Sequence, residues 1–352
     1  MSASLSLSRS RTVGRRLGAP VPGLVLALLV AAVATGIGHF LPIVGGPVLA
    51  IVIGVIVTTL VPRVRAEPFT AGIAFAGKPV LQLSIVVLGT GLSLQQVARV
   101  GGQSLPVMLG TITVALAGAW LFGRLLGVRG KAQTLIGVGT GICGASAIAA
   151  TTAVIDASET EVAYAVGTIF TFNIAAVLLF PPLGHLLGMS AHAFGLWSGT
   201  AINDTSSVVG AAYSFGEGAG GYAIVVKLTR TLLLIPIVMG LAILRGRREA
   251  AAGEAADAGV RSIPWRRIVP PFLIGFVLAS ALDTIGVVPP TWHGALSLLG
   301  TFLITTALAG IGLSLRLADL RRAGPRPLLL GAILWASVAL TSLGLQALTG
   351  TI

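Results

Sequence analysis

Residues 139–146 read Gly-Thr-Gly-Ile-Cys-Gly-Ala-Ser and sit at the centre of an apolar stretch, 132–155. Three glycines within six residues weaken a helix by about 1 kcal/mol each relative to alanine. Placed in the middle of a membrane-length run, they predict an interrupted helix. An interruption frees backbone N–H groups and exposes a helix N-terminus, which attracts anions. The alternative is a continuous helix that packs closely through small residues. Cys143 reads as a small packing residue, since no polar partner adjoins it and buried thiols are inert. As the single cysteine, it excludes a disulfide framework and a multi-Cys metal site.

This stretch is one of eleven. Runs that approach the roughly 20 apolar residues needed to cross a bilayer cover 21–41, 46–62, 73–95, 104–123, 132–155, 161–184, 193–214, 221–244, 268–288, 292–315 and 327–350. Hydrophobic types make up 55% of the 352 residues and charged types 10%. Soluble domains carry about 25% charged residues, and mean hydropathy here is +0.97. A soluble globular protein, a disordered chain and a secreted disulfide scaffold are excluded. The expected fold is an all-α polytopic membrane protein with about eleven transmembrane helices in one domain over 1–352. Residues 1–20 form a basic N-terminal segment and 245–267 a cytoplasmic linker. Arg9, Arg11, Arg15 and Arg16 before the first run resemble a signal peptide, but ten further runs follow. A first transmembrane helix with a basic cytoplasmic lead is expected instead.

The net charge is +12, which in a soluble protein would suggest nucleic acid. The positions of the charges favour orientation in a membrane. With the N-terminus inside, the cytoplasmic loops collect Arg9, Arg11, Arg15, Arg16, Arg63, Arg65, Arg124, Arg129 and Lys131. They also collect Arg245, Arg247, Arg248, Arg261, Arg266, Arg267, Arg316, Arg321, Arg322 and Arg326. The outside loops hold only Arg99, a strong positive-inside asymmetry. The C-terminus and the acidic cluster Asp156, Glu159 and Glu161 are expected outside. Nucleic acid is not needed as a partner.

Residues 199–207, Gly-Thr-Ala-Ile-Asn-Asp-Thr-Ser-Ser, place six hydrogen-bonding side chains inside one run. Asp204 is the only acid placed deep in the membrane, where a carboxylate costs about 2.5–3.5 kcal/mol on the insertion scale. It reads as a proton or sodium coupling site, a substrate ligand, or a structural partner of Lys227 or Arg230. Those two bases lie three apart in Lys-Leu-Thr-Arg (227–230), on one helix face. Two buried cations need an anion, and one deep acid does not balance them. An anionic substrate is the expected answer. Lys78, before Pro79 and followed by Gln82 and Ser84, reads as snorkelling from a helix end. The four histidines show no metal-ligand spacing, and a Walker sequence is lacking.

Residues 88–94, Leu-Gly-Thr-Gly-Leu-Ser-Leu, match 309–315, Ala-Gly-Ile-Gly-Leu-Ser-Leu. At the same offset Pro106, Leu109 and Gly110 match Pro327, Leu330 and Gly331. The paired helices run in opposite directions across the membrane in this topology. Inverted repeats mark many secondary transporters; chance likeness between Gly/Leu-rich helices is the alternative.

Together these motifs, G-T-G-I-C-G-A-S-A-I-A-A (139–150), G-T-A-I-N-D-T-S-S-V-V-G-A-A (199–212) and K-L-T-R (227–230), resemble the sulfate exporter family of conserved hypothetical bacterial inner-membrane proteins. The resemblance covers nearly the whole chain and implies export of an anion such as sulfate or a sulfonate-derived anion. It also implies a His immediately before the acid. Asn203 stands there, so a His–Asp proton relay lacks its His. More distantly, the G-L-S-L helix pair and the interrupted helix are similar to the bile acid–sodium symporter fold, whose broken helices cross at the midplane. Runs 132–155 and 193–214, read as single passes in the same direction, do not form such an inverted pair.

The expected activity is secondary active export of a small anion, coupled to protons or sodium, and no enzymatic activity or cofactor is expected. The substrate site would comprise Gly141, Cys143, Gly144, Ser146, Asn203, Thr205, Ser206, Lys227 and Arg230, with Asp204 as the ion-coupling group. The runner-up is a sodium/proton antiporter with Asp204 as the ion ligand. The expected location is a bacterial inner membrane, with the lipid bilayer as surroundings. The oligomeric state stays open, a homodimer being one option.

Overall fold

Each of the eleven apolar runs folds as helix in the computed structural model, which describes residues 21–40, 45–251, 270–315 and 324–351. The basic segment 1–20 lies outside the described residues, as do 252–267 of the linker and Arg316, Arg321 and Arg322. The helices in chain order are α1 (Val21–Gly38), α2 (Gly45–Leu60), α3 (Phe69–Phe75), α4 (Leu81–Gly89), α5 (Leu94–Leu125), α6 (Lys131–Gly141), α7 (Ala145–Ile155) and α8 (Glu159–Leu186). They continue with α9 (Ala191–Ala201), α10 (Thr205–Phe215), α11 (Glu217–Leu232), α12 (Leu234–Ala251), α13 (Pro271–Thr284), α14 (His293–Ser314) and α15 (Pro325–Thr349). No strand occurs among the described residues. Seven helical segments are long and apolar enough to cross a membrane, and Gly45–Leu60 and Pro271–Thr284 are shorter apolar helices. The chain is an all-α polytopic membrane protein.

Local chemistry fixes several helix ends. Ser93 and Gln96 form a capping box at the start of α5, and Ser158 and Glu161 form one at α8. Ser190 caps α9 through the N–H of Ala193. Such caps satisfy donors that a helix start leaves free. Between α3 and α4 the chain makes a π-helical turn, Ala76–Val80, around Pro79. Proline lacks the N–H that the regular ladder needs there. Lys78 sits in that turn and is exposed.

Runs 132–155 and 193–214 do not cross the bundle as single passes. In the first, Lys131 Nζ at the start of α6 donates to the Asp156 carbonyl just past the end of α7, at 2.6 Å. The chain enters and leaves at one end. In the second, Phe194 near the start of α9 stacks on Phe215 at the end of α10, with ring centroids 4.0 Å apart. His185, at the end of α8, stacks on the same Phe215. Both runs are therefore hairpins. Each of the four half-helices has 11 residues, about 16–17 Å at 1.5 Å per residue. That is close to half of a hydrocarbon core of roughly 30 Å.

The hairpins open toward opposite ends. The first packs along the C-terminal half of α5, where Gln133 Nε2 bonds the Ala119 and Trp120 carbonyls. The second opens beside the end of α8, and α8 carries the chain from one mouth to the other. Asp156 therefore lies beside Lys131, at the same end as Arg124. This corrects the expected separation of the acidic cluster from the basic loops. The cause is the turn at 142–144, which reverses the chain.

The core falls into neighbouring clusters. One joins α1–α4, α13 and α14 around Ile51, Ile85, Phe276 and Leu308. Another surrounds the second hairpin with Phe180, Phe194, Trp197 and Val338. Phe180 stacks on Trp197 at 4.1 Å. Close backbone approach requires glycine at Gly312, where an added Cβ would meet the Ile51 carbonyl at 2.4 Å.

Candidate functional site

The tips of the two hairpins meet half-way along the bundle. The first tip, Ile142–Gly144, follows the end of α6. Gly144 has φ +66° and ψ −130°, a conformation open to glycine and strained for other residues. An added Cβ on Gly144 would touch Ile169 of α8 at 3.4 Å and Asp204 Cβ at 3.5 Å. The interruption expected from the three glycines is therefore present, and its tip touches the second hairpin. The second tip is Ile202–Asp204. There Asp204 has extended backbone and caps α10, accepting from the Ser206 N–H at 3.0 Å and from the Ser206 hydroxyl. Asp and Asn are favoured at this position because they satisfy the free N–H groups of a helix start.

Helix α11 supplies what joins the tips. Lys227 and Arg230 share one face of it, and both are fully buried. The helix begins at Glu217, so Lys227 is its eleventh residue, about 15 Å deep. Lys227 Nζ donates to the Ile142 carbonyl at 2.8 Å and to the Ile202 carbonyl at 2.9 Å. Arg230 Nε donates to the Gly141 carbonyl at 2.8 Å, and its Nη1 to the Thr200 carbonyl. Each base thus bonds one carbonyl from each hairpin. These carbonyls close α6 and α9, where a helix leaves its last C=O groups free and carries about half a negative charge. Among the described residues neither base forms an ion pair with a carboxylate. Their hydrogen-bond partners are helix ends, and Asp204 bonds neither of them directly.

Burial sorts the expected site residues. Gly141, Cys143, Gly144 and Asn203 are buried. Ser146 is exposed, and Asp204, Thr205 and Ser206 are half-buried. The start of α7 at Ser146 and the segment Asp204–Ser206 are thus the accessible parts of the two tips. The α7 start has no side-chain cap. Cys143 lies in an apolar cluster with Val138, Ile142 and Ala147, and it has a polar partner the sequence did not suggest: Ser146 Oγ donates to its carbonyl at 2.9 Å and to its Sγ at 3.0 Å. Three buried polar atoms of this region, Thr140 Oγ1, Asn203 Oδ1 and Arg230 Nη2, have no protein partner.

Two contributors escaped the sequence reading. Asn173, mid-way along α8, accepts from the Asp204 N–H at 3.3 Å. A lone Asn in a 28-residue apolar helix was the available signal, since buried polar residues in such helices mark functional regions. Thr200 supplies a carbonyl to Arg230, and its hydroxyl lies 2.7 Å from that of Ser342 on α15. Two cavities flank the bundle. One of about 400 Å³ is lined by Gln96, His192, Tyr222 and His293 near the second hairpin's mouth. The other, about 840 Å³, is lined by Arg124, Arg129 and Lys131 at the first. Neither is lined by a tip residue.

Fold and site together define a multi-pass α-helical membrane protein built around two broken hairpins. The chain belongs to the family described as Conserved hypothetical protein 698, whose profile matches residues 22–331. A UPF0324 membrane protein of Fusobacterium nucleatum is 39% identical over 348 residues, covering 93% of this chain and 98% of that one. A UPF0324 membrane protein of Streptococcus agalactiae is 40% identical over 343 residues, with 94% and 98% covered. Another from Streptococcus pyogenes is 41% identical over 338 residues, with 94% and 97% covered. No solved structure matches the chain.

Proposed function

We propose that the chain is a secondary active transporter that exports a small anion, such as sulfate or a sulfonate-derived anion, across a bacterial inner membrane. The observation that carries this reading is the meeting of two opposed broken hairpins at two buried cations half-way along the bundle. Discontinuous helices near the midplane form the substrate sites of many secondary transporters, and their N-termini point at anionic groups. Here the uncapped start of α7 offers N–H groups to an anion, with the Ser146 hydroxyl beside them. Thr205 and Ser206, half-buried on the other tip, add further hydroxyls. Lys227 and Arg230 hold the tips in place and supply positive potential from behind.

Asp204 is the coupling group in this reading. Ionised, it engages Ser206 and repels an arriving anion. Neutralised by a proton or a bound cation, it loses that repulsion. The chain then makes nine passes and two re-entrant hairpins, with the N-terminus cytoplasmic and the C-terminus outside. Placement also supports the inverted repeat. The α4–α5 turn lies beside Thr284, which accepts from the Leu94 N–H. The α14–α15 connection ends beside Gly127, near Arg326, at the other end of the bundle.

Uptake of labelled sulfate into proteoliposomes, with and without proton and sodium gradients, tests the proposal. Gradient-driven accumulation is expected, and folded protein that moves no anion from a broad panel would refute it. The sodium/proton antiporter reading needs Lys227 as the partner of Asp204. The bonding of Lys227 to two carbonyls weighs against it.

A further inference from the structure

The four carbonyls that Lys227 and Arg230 hold, two for each base, belong to two different half-helices that point at each other. Ile142 and Gly141 end one, and Ile202 and Thr200 end or immediately precede the end of the other. Both ends carry the negative pole of a helix dipole. Two such poles brought together in a low-dielectric interior repel unless a cation lies between them. In secondary transporters, unwound carbonyls and half-helix C-termini are the groups that coordinate sodium. Here a side chain already occupies that position. The Lys227 ammonium sits 2.8 and 2.9 Å from one carbonyl of each tip. Arg230 adds a second fixed charge three residues on, within the same pair of ends.

We infer that Lys227 is a tethered replacement for an alkali cation: the carbonyl cage between the hairpins is a monovalent-cation site that the chain fills with its own ammonium. A free sodium ion has no place there while Lys227 is present. Only the consequence for coupling rests on the transporter reading: anion movement proceeds without sodium, and the proton is the ion that neutralises Asp204. The cage itself is independent of what is transported.

The test uses the purified full chain and needs no transport. Thermal unfolding of the wild type and of Lys227→Ala is followed in sodium, potassium and choline chloride at equal ionic strength. The wild type is expected to unfold at the same temperature in all three. The alanine variant should be less stable in choline and gain several degrees, saturably, in sodium or potassium, because a ligand that binds only the folded state raises its stability. A folded alanine variant that does not distinguish the salts overturns the inference. So does a saturable sodium-specific rise in the wild type. If the variant does not fold in any salt, labelled-sodium binding to the wild type decides: saturable binding at the crossing overturns the proposal, and its absence supports it. Sulfate uptake that is equal in sodium and choline extends the result to coupling. Failure of uptake in every salt counts against the transporter reading and leaves the binding result intact.

Discussion

Arg230 bonds Gly141 on one hairpin and Thr200 on the other, and the spacing of its fork matters as much as its charge. Lysine has a compact ammonium and cannot span both carbonyls in the same way. Arg230→Lys is therefore expected to lower stability by about 1.5–3 kcal/mol, the range for a hydrogen bond to a charged group, read as a drop in unfolding temperature. Asp204 makes a different prediction. Asparagine caps a helix about as well as aspartate. Asp204→Asn should leave unfolding temperature nearly unchanged while abolishing gradient-driven uptake. Asp204→Ala should in addition lose about 1 kcal/mol of stability with the cap. At this scale much was legible. Asp204, Lys227 and Arg230 stand out because charges are scarce in the apolar runs. Their pairing was not legible, because a sequence lists side chains and the partners of both bases are backbone carbonyls.

The same limit operates at the level of elements. The break in α6–α7 was readable from Gly139, Gly141 and Gly144; the break in α9–α10 was not expected, the polar residues at 199–207 having been read as lying inside one straight pass. Both are there. The reversal of direction at each break was not readable. Two half-helices of 11 residues give the same apolar length as one straight pass. The conformation that permits the first reversal is concentrated at Gly144, with its positive φ. Gly144→Ala should cost about 1–3 kcal/mol, the usual strain of a non-glycine residue in such a region, at the tip that touches Asp204. A fall in unfolding temperature together with lost uptake is the expected result. Gly102, where nothing lies within 4 Å of an added Cβ, serves as the control substitution.

For the whole molecule, parity hid the hairpins. Two reversals cancel, so every loop before the first and after the second keeps its side. Only the segment between them, with Asp156, Glu159, Glu161 and α8, changes direction. That segment carries no Lys or Arg between 132 and 226, and acidic residues contribute little to orientation. The asymmetry of basic loops therefore fits eleven straight passes and nine passes with two hairpins equally well. Labelling separates them. In a Cys143→Ala background, Ser158→Cys should react with an impermeant maleimide only from the cytoplasmic side, and Ser190→Cys only from outside. Eleven straight passes demand the reverse.

One further point follows from the way α11 holds both tips. The two hairpins are leaves hung on a single pin. Neither can swing away without leaving an ammonium or a guanidinium short of a ligand in a dry interior, at a cost of several kcal/mol. A barrier of that kind falls on both leaves alike, so the resting molecule is latched from both faces by the same two side chains. On the transporter reading, this makes the closed passage the default state, and the seal, in place before any cargo arrives, is what is expected to keep the membrane from leaking.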